Sequence, residues 1–209
     1  WSSLDYFGRW KALHYMAKRF YAPVLLSVLD DGPRMGIWVT NDTTETWVGE
    51  ARWSLELLSG EALASGEEAV TVGPQAACEV KTLDFGEAIV ADRFPGMLTG
   101  NRRDMIFVCE LWQGTQLISR NIATFVPNKH LELADPGLAV AVSRQRQQLI
   151  FEITTQSLAR FVELELDGVD VIFSDNYFDA PAGRVVTVTC PLPAGWDLRR
   201  ARAALRVRS

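Results

Sequence analysis

Cysteine and histidine are scarce in this sequence, and their scarcity excludes several kinds of site. The chain has three cysteines, Cys78, Cys109 and Cys190, an odd number without a Cys-x-x-Cys pair or metal-ligand spacing to a histidine. We therefore expect no metal site and no disulfide framework, but buried reduced thiols, which favour a cytoplasmic location. The two histidines cannot support a Ser-His-Asp arrangement, so we interpret His14 as a hydrogen-bonded packing residue and His130 as exposed.

Long apolar runs and an excess of basic charge are also missing. No window approaches the roughly 20 uncharged apolar residues of a membrane span, so no membrane partner is expected. Acidic side chains outnumber basic ones by 26 to 21, and the net charge of −5 argues against a nucleic-acid partner. No glycine-rich loop follows a strand and opens a helix, so no nucleotide or other cofactor is expected.

A basic cluster of five arginines lies near the C-terminal end. From Ala203 onward, basic residues alternate with Leu205 and Val207, which is the period of a half-buried strand. We interpret the cluster as a solvated strand rather than a polyanion site, because phosphate binding usually recruits several structural elements. Its members are Arg199, Arg200, Arg202, Arg206 and Arg208.

The first 26 residues predict a loop followed by one amphipathic helix. Trp10, Leu13, Ala17 and Phe20 recur at the helical period and form one apolar stripe. Pro23 cannot continue the helix, so its end is expected near residue 21. A lone helix cannot bury its own stripe, and we expect this one to dock on the first β-domain that follows or to pair with a second copy.

After residue 23 the hydrophobic period changes to two, which indicates β-strands separated by turn residues. Seven short strands without helical crossovers are typical of an immunoglobulin-like sandwich, and a smaller set of six follows. The sequence therefore predicts a mostly β protein: an N-terminal segment (1–22) and two tandem immunoglobulin-like sandwiches (23–126 and 127–209). The predicted strands lie near residues 23–30, 35–40, 50–58, 69–72, 77–85, 105–112, 116–125, 138–143, 149–155, 160–166, 169–174, 184–190 and 203–208.

Four stretches of the chain carry more specific motifs. They are Trp1–Tyr15 (W-S-S-L-D-Y-F-G-R-W-K-A-L-H-Y), Ile37–Asp42 (I-W-V-T-N-D), Ala51–Leu57 (A-R-W-S-L-E-L) and Val171–Asp179 (V-I-F-S-D-N-Y-F-D). In this order they resemble the end of the catalytic barrel and the two C-terminal sandwiches of β-mannosidases in glycoside hydrolase family 2. The family usually has Pro-Gly-Glu where this chain has Pro181-Ala-Gly-Arg184, a difference that puts only the local turn geometry in doubt.

The resemblance implies a parent enzyme that hydrolyses terminal, non-reducing β-D-mannose residues with retention and without a metal. Residues 1–22 would be the last loop and helix of its TIM barrel, and the two sandwiches would be accessory domains that support the barrel. Both catalytic carboxylates of the family lie on earlier barrel strands, so this chain has no catalytic residue and alone should be inactive. The implied partners are the catalytic barrel of the same polypeptide, mannosides bound through the parent, and a second copy in a homodimer.

Trp1 is the candidate substrate-binding residue. The resemblance places its loop on the barrel face where such enzymes keep their active sites, so Trp1 would stack near a sugar or support the pocket wall. Asp5 is interpreted as a residue that caps the helix or fixes the loop. The neighbouring carboxylates Asp30-Asp31 and Glu67-Glu68 are interpreted as solvated charges in turns rather than as a catalytic pair, because neighbouring strand side chains point to opposite faces. A first residue that is not methionine is also expected of an expressed fragment.

The alternative hypothesis is a free-standing pair of immunoglobulin-like modules that bind carbohydrate or protein. Trp47 and Trp196 lie in polar, turn-like sequence and are the best candidates for exposed sugar-stacking platforms. Asn41-Asp42-Thr43 is a formal glycosylation sequon. The N-terminal helix argues against this alternative, since a stand-alone module has no use for it. The tryptophans interpreted as core or interdomain residues are Trp38, Trp53 and Trp112.

Overall fold

The structure is a computed structural model that describes residues 2–90 and 102–209. The chain divides into two compact units: the larger holds Arg19–Leu133, and the smaller holds residues 2–18 together with Ala134–Ser209. Helix α1 (Ala12–Phe20) precedes the strands, which make up most of the described residues. The predicted fold class, mostly β with an N-terminal helix and sandwich-like sheets, is confirmed.

The larger unit is a two-sheet sandwich of antiparallel strands. Its strands are β1 (Val24–Asp31), β2 (Arg34–Asn41), β3 (Trp47–Leu57), β4 (Ala62–Val72), β5 (Ala76–Asp84), β6 (Met105–Gln113) and β7 (Gln116–Thr124). One sheet has the order β1–β2–β5 and the other the order β4–β3–β6–β7. All seven strands were predicted from the period of two, and the largest difference is β4, which begins at residue 62 instead of 69.

The core of the larger unit is built by the alternation within its strands. Ala51 of β3 and Leu111 of β6 are paired across the sheet and buried in one cluster, so their sequence neighbours face away from it. Gly49 is required by the same packing. A Cβ atom there would lie 2.2 Å from Cη2 of Trp47 and 2.3 Å from the backbone oxygen of Trp112, and no side chain can occupy that space.

Asn41 closes one end of the larger sandwich and is completely buried. Its Nδ2 group donates to the carbonyl oxygens of Glu45 at 2.8 Å, Val72 at 3.2 Å and Gly73 at 3.0 Å. Its Oδ1 atom accepts from the backbone N–H of Thr43 at 3.1 Å and from the Thr43 hydroxyl at 2.7 Å. The sequon asparagine is therefore a buried structural residue, and its amide is inaccessible to glycosylation in the folded chain.

The smaller unit also consists of antiparallel strands. Its strands are β8 (Ala139–Gln145), β9 (Gln148–Thr154), β10 (Ala159–Leu166), β11 (Phe178–Ala180), β12 (Val186–Pro191) and β13 (Leu205–Arg208). They form two three-stranded sheets with the orders β12–β9–β8 and β11–β10–β13. The strand predicted at residues 169–174 was wrong. That segment is irregular, and the short strand β11 follows it.

Two short helices were not predicted. Helix α2 (Gly86–Val90) follows β5 and buries Ile89 in the larger core, and helix α3 (Leu198–Ala204) precedes β13. Asp197 begins α3, since its carboxylate accepts the backbone N–H of Arg200 at 2.7 Å. Sequence alternation detected β13 but not α3, because the helix buries little more than Ala201 and so lacks a clear apolar stripe.

The basic cluster therefore begins on α3 and ends on β13. Its interpretation as a strand is correct for Arg206 and Arg208 and wrong for the arginines on α3. On β13, Arg208 pairs with Glu163 at 3.2 Å and with Glu165 at 3.1 Å. Arg206 lies 3.5 Å from Asp167. The carboxylates come from β10 and the turn after it, so neighbouring acidic residues offset the positive charge of the strand. This arrangement agrees with a solvated strand rather than a polyanion site.

The three cysteines are reduced, and their burial predicts very different reactivities. Burial raises the pKa of the Cys109 thiol to about 12 and that of the Cys190 thiol to about 11. Because the thiolate is the reactive form, both should resist alkylation at neutral pH, whereas the half-buried Cys78 should react. We expect mass spectrometry to find one labelled thiol in the native protein and three after unfolding. Cys78→Ser should abolish native labelling, and a second native thiol that reacts at a similar rate would contradict this account.

Candidate functional site

The loop before α1 is a small, closely hydrogen-bonded hairpin organised by Asp5. The Asp5 carboxylate accepts the backbone N–H of Phe7 at 2.8 Å and that of Arg9 at 2.9 Å, and it pairs with the Arg9 guanidinium. Desolvation opposes ionisation of Asp5, but the hydrogen bonds and charge of Arg9 outweigh it, so the pKa of this carboxyl lies below its usual value. Gly8 has φ +81°, a left-handed conformation that the turn requires. Asp5 is therefore a loop-fixing residue, as predicted.

The tip of this hairpin exposes two aromatic side chains. Tyr6 is 95% exposed and Phe7 is 76% exposed, and their rings meet edge to face with centroids 5.2 Å apart. Apolar surface of this kind on a hydrogen-bonded loop is typical of a contact surface rather than of a solvated loop. Trp1, the candidate substrate-binding residue, lies outside the described residues, so its role remains a prediction.

Helix α1 packs against the smaller sandwich through a face that differs from the predicted stripe. Tyr15 is its buried residue and joins the core of the smaller unit, with Trp10 packed beside it. By contrast, Leu13 is 50% exposed and Phe20 is 48% exposed. Docking on the first sandwich, one of the two predicted positions of the helix, was therefore wrong, and pairing with a second copy stays a prediction. His14 confirms its predicted packing role, since its ring lies 4.2 Å from that of Trp10 and Nδ1 lies 3.0 Å from the Ser3 hydroxyl.

The seat of α1 is the segment just before β11, which carries the last sequence motif. The Tyr15 hydroxyl accepts the backbone N–H of Phe173 at 3.2 Å, and desolvation raises the pKa of this buried tyrosine. Lys18 donates through Nζ to the carbonyl oxygen of Ser174 at 2.7 Å. Ser174 is fixed in turn by β12, because its hydroxyl accepts the backbone N–H of Thr189 at 2.8 Å. The motif therefore holds the helix against the sandwich.

Asn176 attaches the same segment to β10 in place of a paired strand. Its Nδ2 group donates to the carbonyl oxygen of Leu164 at 2.9 Å, and its Oδ1 atom accepts the Leu164 N–H at 2.8 Å. The next residue, Tyr177, has φ +53° and places its hydroxyl 2.8 Å from Glu163 Oε1. Desolvation together with this carboxylate raises the pKa of Tyr177 to about 12. A bulky residue in a left-handed conformation is costly, so the surrounding contacts must hold it there.

The carboxylate pairs and His130 belong to the larger unit. Asp30 and Asp31 are exposed at the end of β1. Glu67 and Glu68 lie within β4 rather than in a turn, which corrects the predicted context. His130 is exposed in a short 3-10 helix, as predicted. Among residues 2–90 and 102–209, no group of three acidic, cysteine or histidine side chains is placed to hold a metal ion. Nor does any helix in these ranges have the length and apolar content of a membrane span.

The two tryptophans predicted to be exposed are buried. Trp47 is 7% exposed and Trp196 is 9% exposed, and both belong to buried clusters, so neither can serve as an exposed stacking platform. Trp53 packs against the larger core, as predicted. Trp112 is not a core residue, because it is partly exposed on the sheet face opposite that core, and its interdomain alternative stays a prediction. The sequence around these tryptophans did not indicate which of them are buried and which are exposed, since all of them have polar neighbours.

Two family models match the chain. A model of the mannosidase Ig/CBM-like domain matches residues 34–130, and a model of a mannosidase Ig-fold domain matches residues 133–209. Among curated proteins, the chain is 26% identical over 195 residues to β-mannosidase of Capra hircus, covering 85% of this chain and 20% of that protein. It is 27% identical over 161 residues to β-mannosidase A of Aspergillus fumigatus, covering 74% of this chain and 17% of that protein. The chain thus spans about a fifth of the curated relatives it matches.

Solved structures share the fold over the whole chain. A β-D-mannosidase from Dictyoglomus thermophilum aligns with a TM-score of 0.85 and 18% identity, covering 100% of this chain and 24% of that one. The exo-chitosanase CsxA of Amycolatopsis orientalis aligns with a TM-score of 0.65 and 15% identity, covering 100% of this chain and 28% of that one. At these identities the alignments show a shared fold and nothing more.

Proposed function

The chain belongs to the immunoglobulin-like domain families of β-mannosidases, and from this premise we propose that it is the non-catalytic C-terminal accessory region of a β-mannosidase-like glycoside hydrolase. The parent would remove terminal, non-reducing β-D-mannose with retention. That chemistry needs two carboxylates about 5–5.5 Å apart, one as acid and base and one as nucleophile. In this proposal both come from a catalytic barrel in the same polypeptide, and these 209 residues contribute neither.

The observation that carries the proposal is the exposed apolar surface of the N-terminal segment. Tyr15 and Trp10 attach α1 to the smaller sandwich, while Leu13 on the same helix and Tyr6 and Phe7 on the hairpin remain exposed. A loop already fixed by Asp5 loses little conformational entropy when it is buried. We infer that this surface packs against the barrel and that the smaller sandwich supports it from behind.

Hydrolysis of aryl glycosides tests the enzymatic part of this proposal. The longer polypeptide that carries these residues should hydrolyse an aryl β-mannoside in preference to the matching β-galactoside and β-glucuronide. The 209-residue chain, purified in parallel, should hydrolyse none of them. Preference for a galactoside or glucuronide would move the proposal to another activity, and hydrolysis by the short chain would overturn the accessory role.

A charged substitution at Leu13 tests the packing surface. Leu13→Asp should change the unfolding free energy of the isolated chain by less than about 0.5 kcal/mol, because half of this side chain is already exposed. In the longer polypeptide the same change would bury a carboxylate, and we expect a loss of about 2 kcal/mol or more, measured by thermal unfolding.

Val185→Asp is the matched control, since Val185 is an equally exposed aliphatic residue of the same unit. It should have a small effect in both forms of the protein. Equal losses from the two substitutions in the longer polypeptide would contradict a specific contact at Leu13.

The family description also bears on ligands of the larger sandwich. Residues 34–130 match a domain described as Ig/CBM-like, a class name that refers to carbohydrate-binding modules. This likeness supports carbohydrate as the ligand class to consider for that sandwich, separately from the catalytic site of the parent.

A further inference from the structure

The outer face of the sheet β4–β3–β6–β7 carries an ordered set of polar and aromatic side chains. Because Ala51 and Leu111 point into the core, the neighbouring residues of β3 and β6 face outward. The register pairs Arg52 of β3 with Glu110 of β6, and Glu50 of β3 with Trp112 of β6. These residues therefore form two adjacent rows across the strands, on the side of the sheet away from the core.

The first row alternates in charge across all four strands. Glu67 of β4 is opposite Arg52, Arg52 is opposite Glu110, and Glu110 is opposite Arg120 of β7. Arg120 Nε lies 2.7 Å from Glu110 Oε1, and Arg52 also pairs with Glu50. Opposite charges in direct cross-strand positions stabilise a sheet and hold each other in place. The row is thus fixed in geometry and nearly neutral in sum.

The second row places Trp112 beside these charges. Its indole Nε1 donates to Glu110 Oε2 at 3.1 Å, and the guanidinium carbon of Arg52 lies 5.2 Å from the ring centroid. Val48, two residues before Glu50 on β3, is exposed on the same side of the sheet. A partly exposed, immobilised indole is thereby bordered by an aliphatic side chain and paired charges.

We propose that this face, centred on Trp112, binds a neutral hexopyranose chain. A pyranose has an apolar C–H face that packs on an aromatic ring and hydroxyl edges that exchange hydrogen bonds with planar polar groups. Glu50 and Arg52 are planar polar groups of this kind beside the indole. The near-neutral sum of the charge row gives a polyanion little attraction. Charged side chains are also denser on this face than at the centre of a typical protein interface, where such residues are depleted, and this argues against a protein partner.

The choice of mannose as the sugar rests on the proposed function, whereas the choice of carbohydrate rests on the face itself. A site here would hold β-linked mannose chains near the enzyme without taking part in hydrolysis. It differs from any contact made by Trp1, because it lies on the larger unit and uses none of the N-terminal segment.

Titration of the full 209-residue chain with mannohexaose, followed by nuclear magnetic resonance, tests this site. We expect binding with a Kd on the order of 1 mM and shifts centred on the Trp112 indole N–H. Trp112→Ala should weaken binding about tenfold or more, and Arg52→Ala about threefold. The second variant keeps the test usable if the first unfolds, because the Arg52 side chain is half exposed. Tyr6→Ala is the matched control, an exposed aromatic on the other unit, and should leave binding unchanged.

Each outcome decides the proposal. Absence of binding by the unmodified chain, even at mannohexaose concentrations well above the expected Kd, would overturn the proposal. Binding that survives both Trp112→Ala and Arg52→Ala would also overturn it. Self-association that depends on Trp112, without sugar binding, would assign the face to a protein contact and also overturn it. Binding of cellohexaose in place of mannohexaose would support the face as a carbohydrate site while counting against mannose. Failure of the longer polypeptide to hydrolyse mannosides would not affect the titration, so the two proposals can fail separately.

Discussion

Asn41→Asp should destabilise the larger sandwich by about 3–5 kcal/mol at neutral pH. The substitution replaces the Nδ2 donor by an oxygen that faces the carbonyl oxygens of Glu45, Val72 and Gly73. Three attractive contacts become repulsive, and a charge is placed where the native side chain is completely buried. Native packing would raise the pKa of the introduced carboxyl, so the loss should shrink as the pH falls from that raised pKa towards about 4 and change little below it, where the carboxyl is protonated in both the folded and the unfolded chain.

Urea denaturation with hydrogen exchange read by mass spectrometry measures this loss in each unit separately. Gln116→Glu is the matched control, an amide-to-carboxylate change at an exposed position of the same unit, and should alter stability by less than about 0.5 kcal/mol. Similar stabilities for Asn41→Asp and the unmodified chain would show that the hydrogen-bond set around residue 41 contributes little.

Asn176→Asp should have the second largest effect, and it should reach helix α1. The substitution replaces the donor to the Leu164 carbonyl oxygen with a second oxygen, and a buried charge faces that carbonyl. We expect a loss of about 3 kcal/mol in the smaller unit. Because the same segment supplies the partners of Tyr15 and Lys18, amide exchange in α1 should accelerate together with exchange in β10.

Gln145→Glu is the control for this change, since Gln145 is exposed at the end of β8 in the same unit. It should leave exchange in α1 unchanged. A variant Asn176→Asp that loses stability in β10 while α1 keeps its native exchange rate would contradict the role of this segment as the seat of the helix.

Local pattern was sufficient to predict most strands of this protein. In β9 and β10, buried Phe151, Ile153, Val162 and Leu164 alternate with polar neighbours, and the period of two marks both elements. The segment near Val171 was predicted as a strand for the same reason but forms the seat of α1. The Phe173 N–H and the Ser174 carbonyl oxygen bond to the distant side chains of Tyr15 and Lys18, and a single backbone bond, from the Ser174 N–H to Thr189, reaches β12 in place of a ladder. Sequence spacing does not contain that information.

The helix shows why a correct element can be given the wrong face. Residues 12–20 have large apolar side chains on two sides, Leu13 and Phe20 on one and Tyr15 on another. A single chain gives no means to decide which side meets the smaller sandwich and which side remains exposed. The resolving fact is tertiary, because the Tyr15 hydroxyl is needed by a backbone N–H that lies 158 positions further along the chain.

The burial of Trp196 and the partial exposure of Trp112 were not predicted, for a related reason. Polar neighbours surround Trp196, yet it is buried in one cluster with Ala201 of α3, and the guanidinium carbon of Arg200 lies 4.5 Å from its ring. Trp112 lies within a strand, where burial is the usual expectation, but it is on the outer side of its sheet. Exposure in both cases depends on which element covers the residue, and an element such as α3 was not predicted.

Covalent labelling of the longer polypeptide tests the central claim most directly, namely that these residues are an accessory region of a retaining β-mannosidase-like enzyme. A fluorinated mannosyl fluoride traps the glycosyl-enzyme intermediate on the nucleophilic carboxylate, and peptide mapping then locates it. We expect one labelled carboxylate in a peptide outside these 209 residues and no label on the short chain treated alone. A label on any carboxylate of this chain would contradict the account, because it would place the nucleophile within the sandwiches.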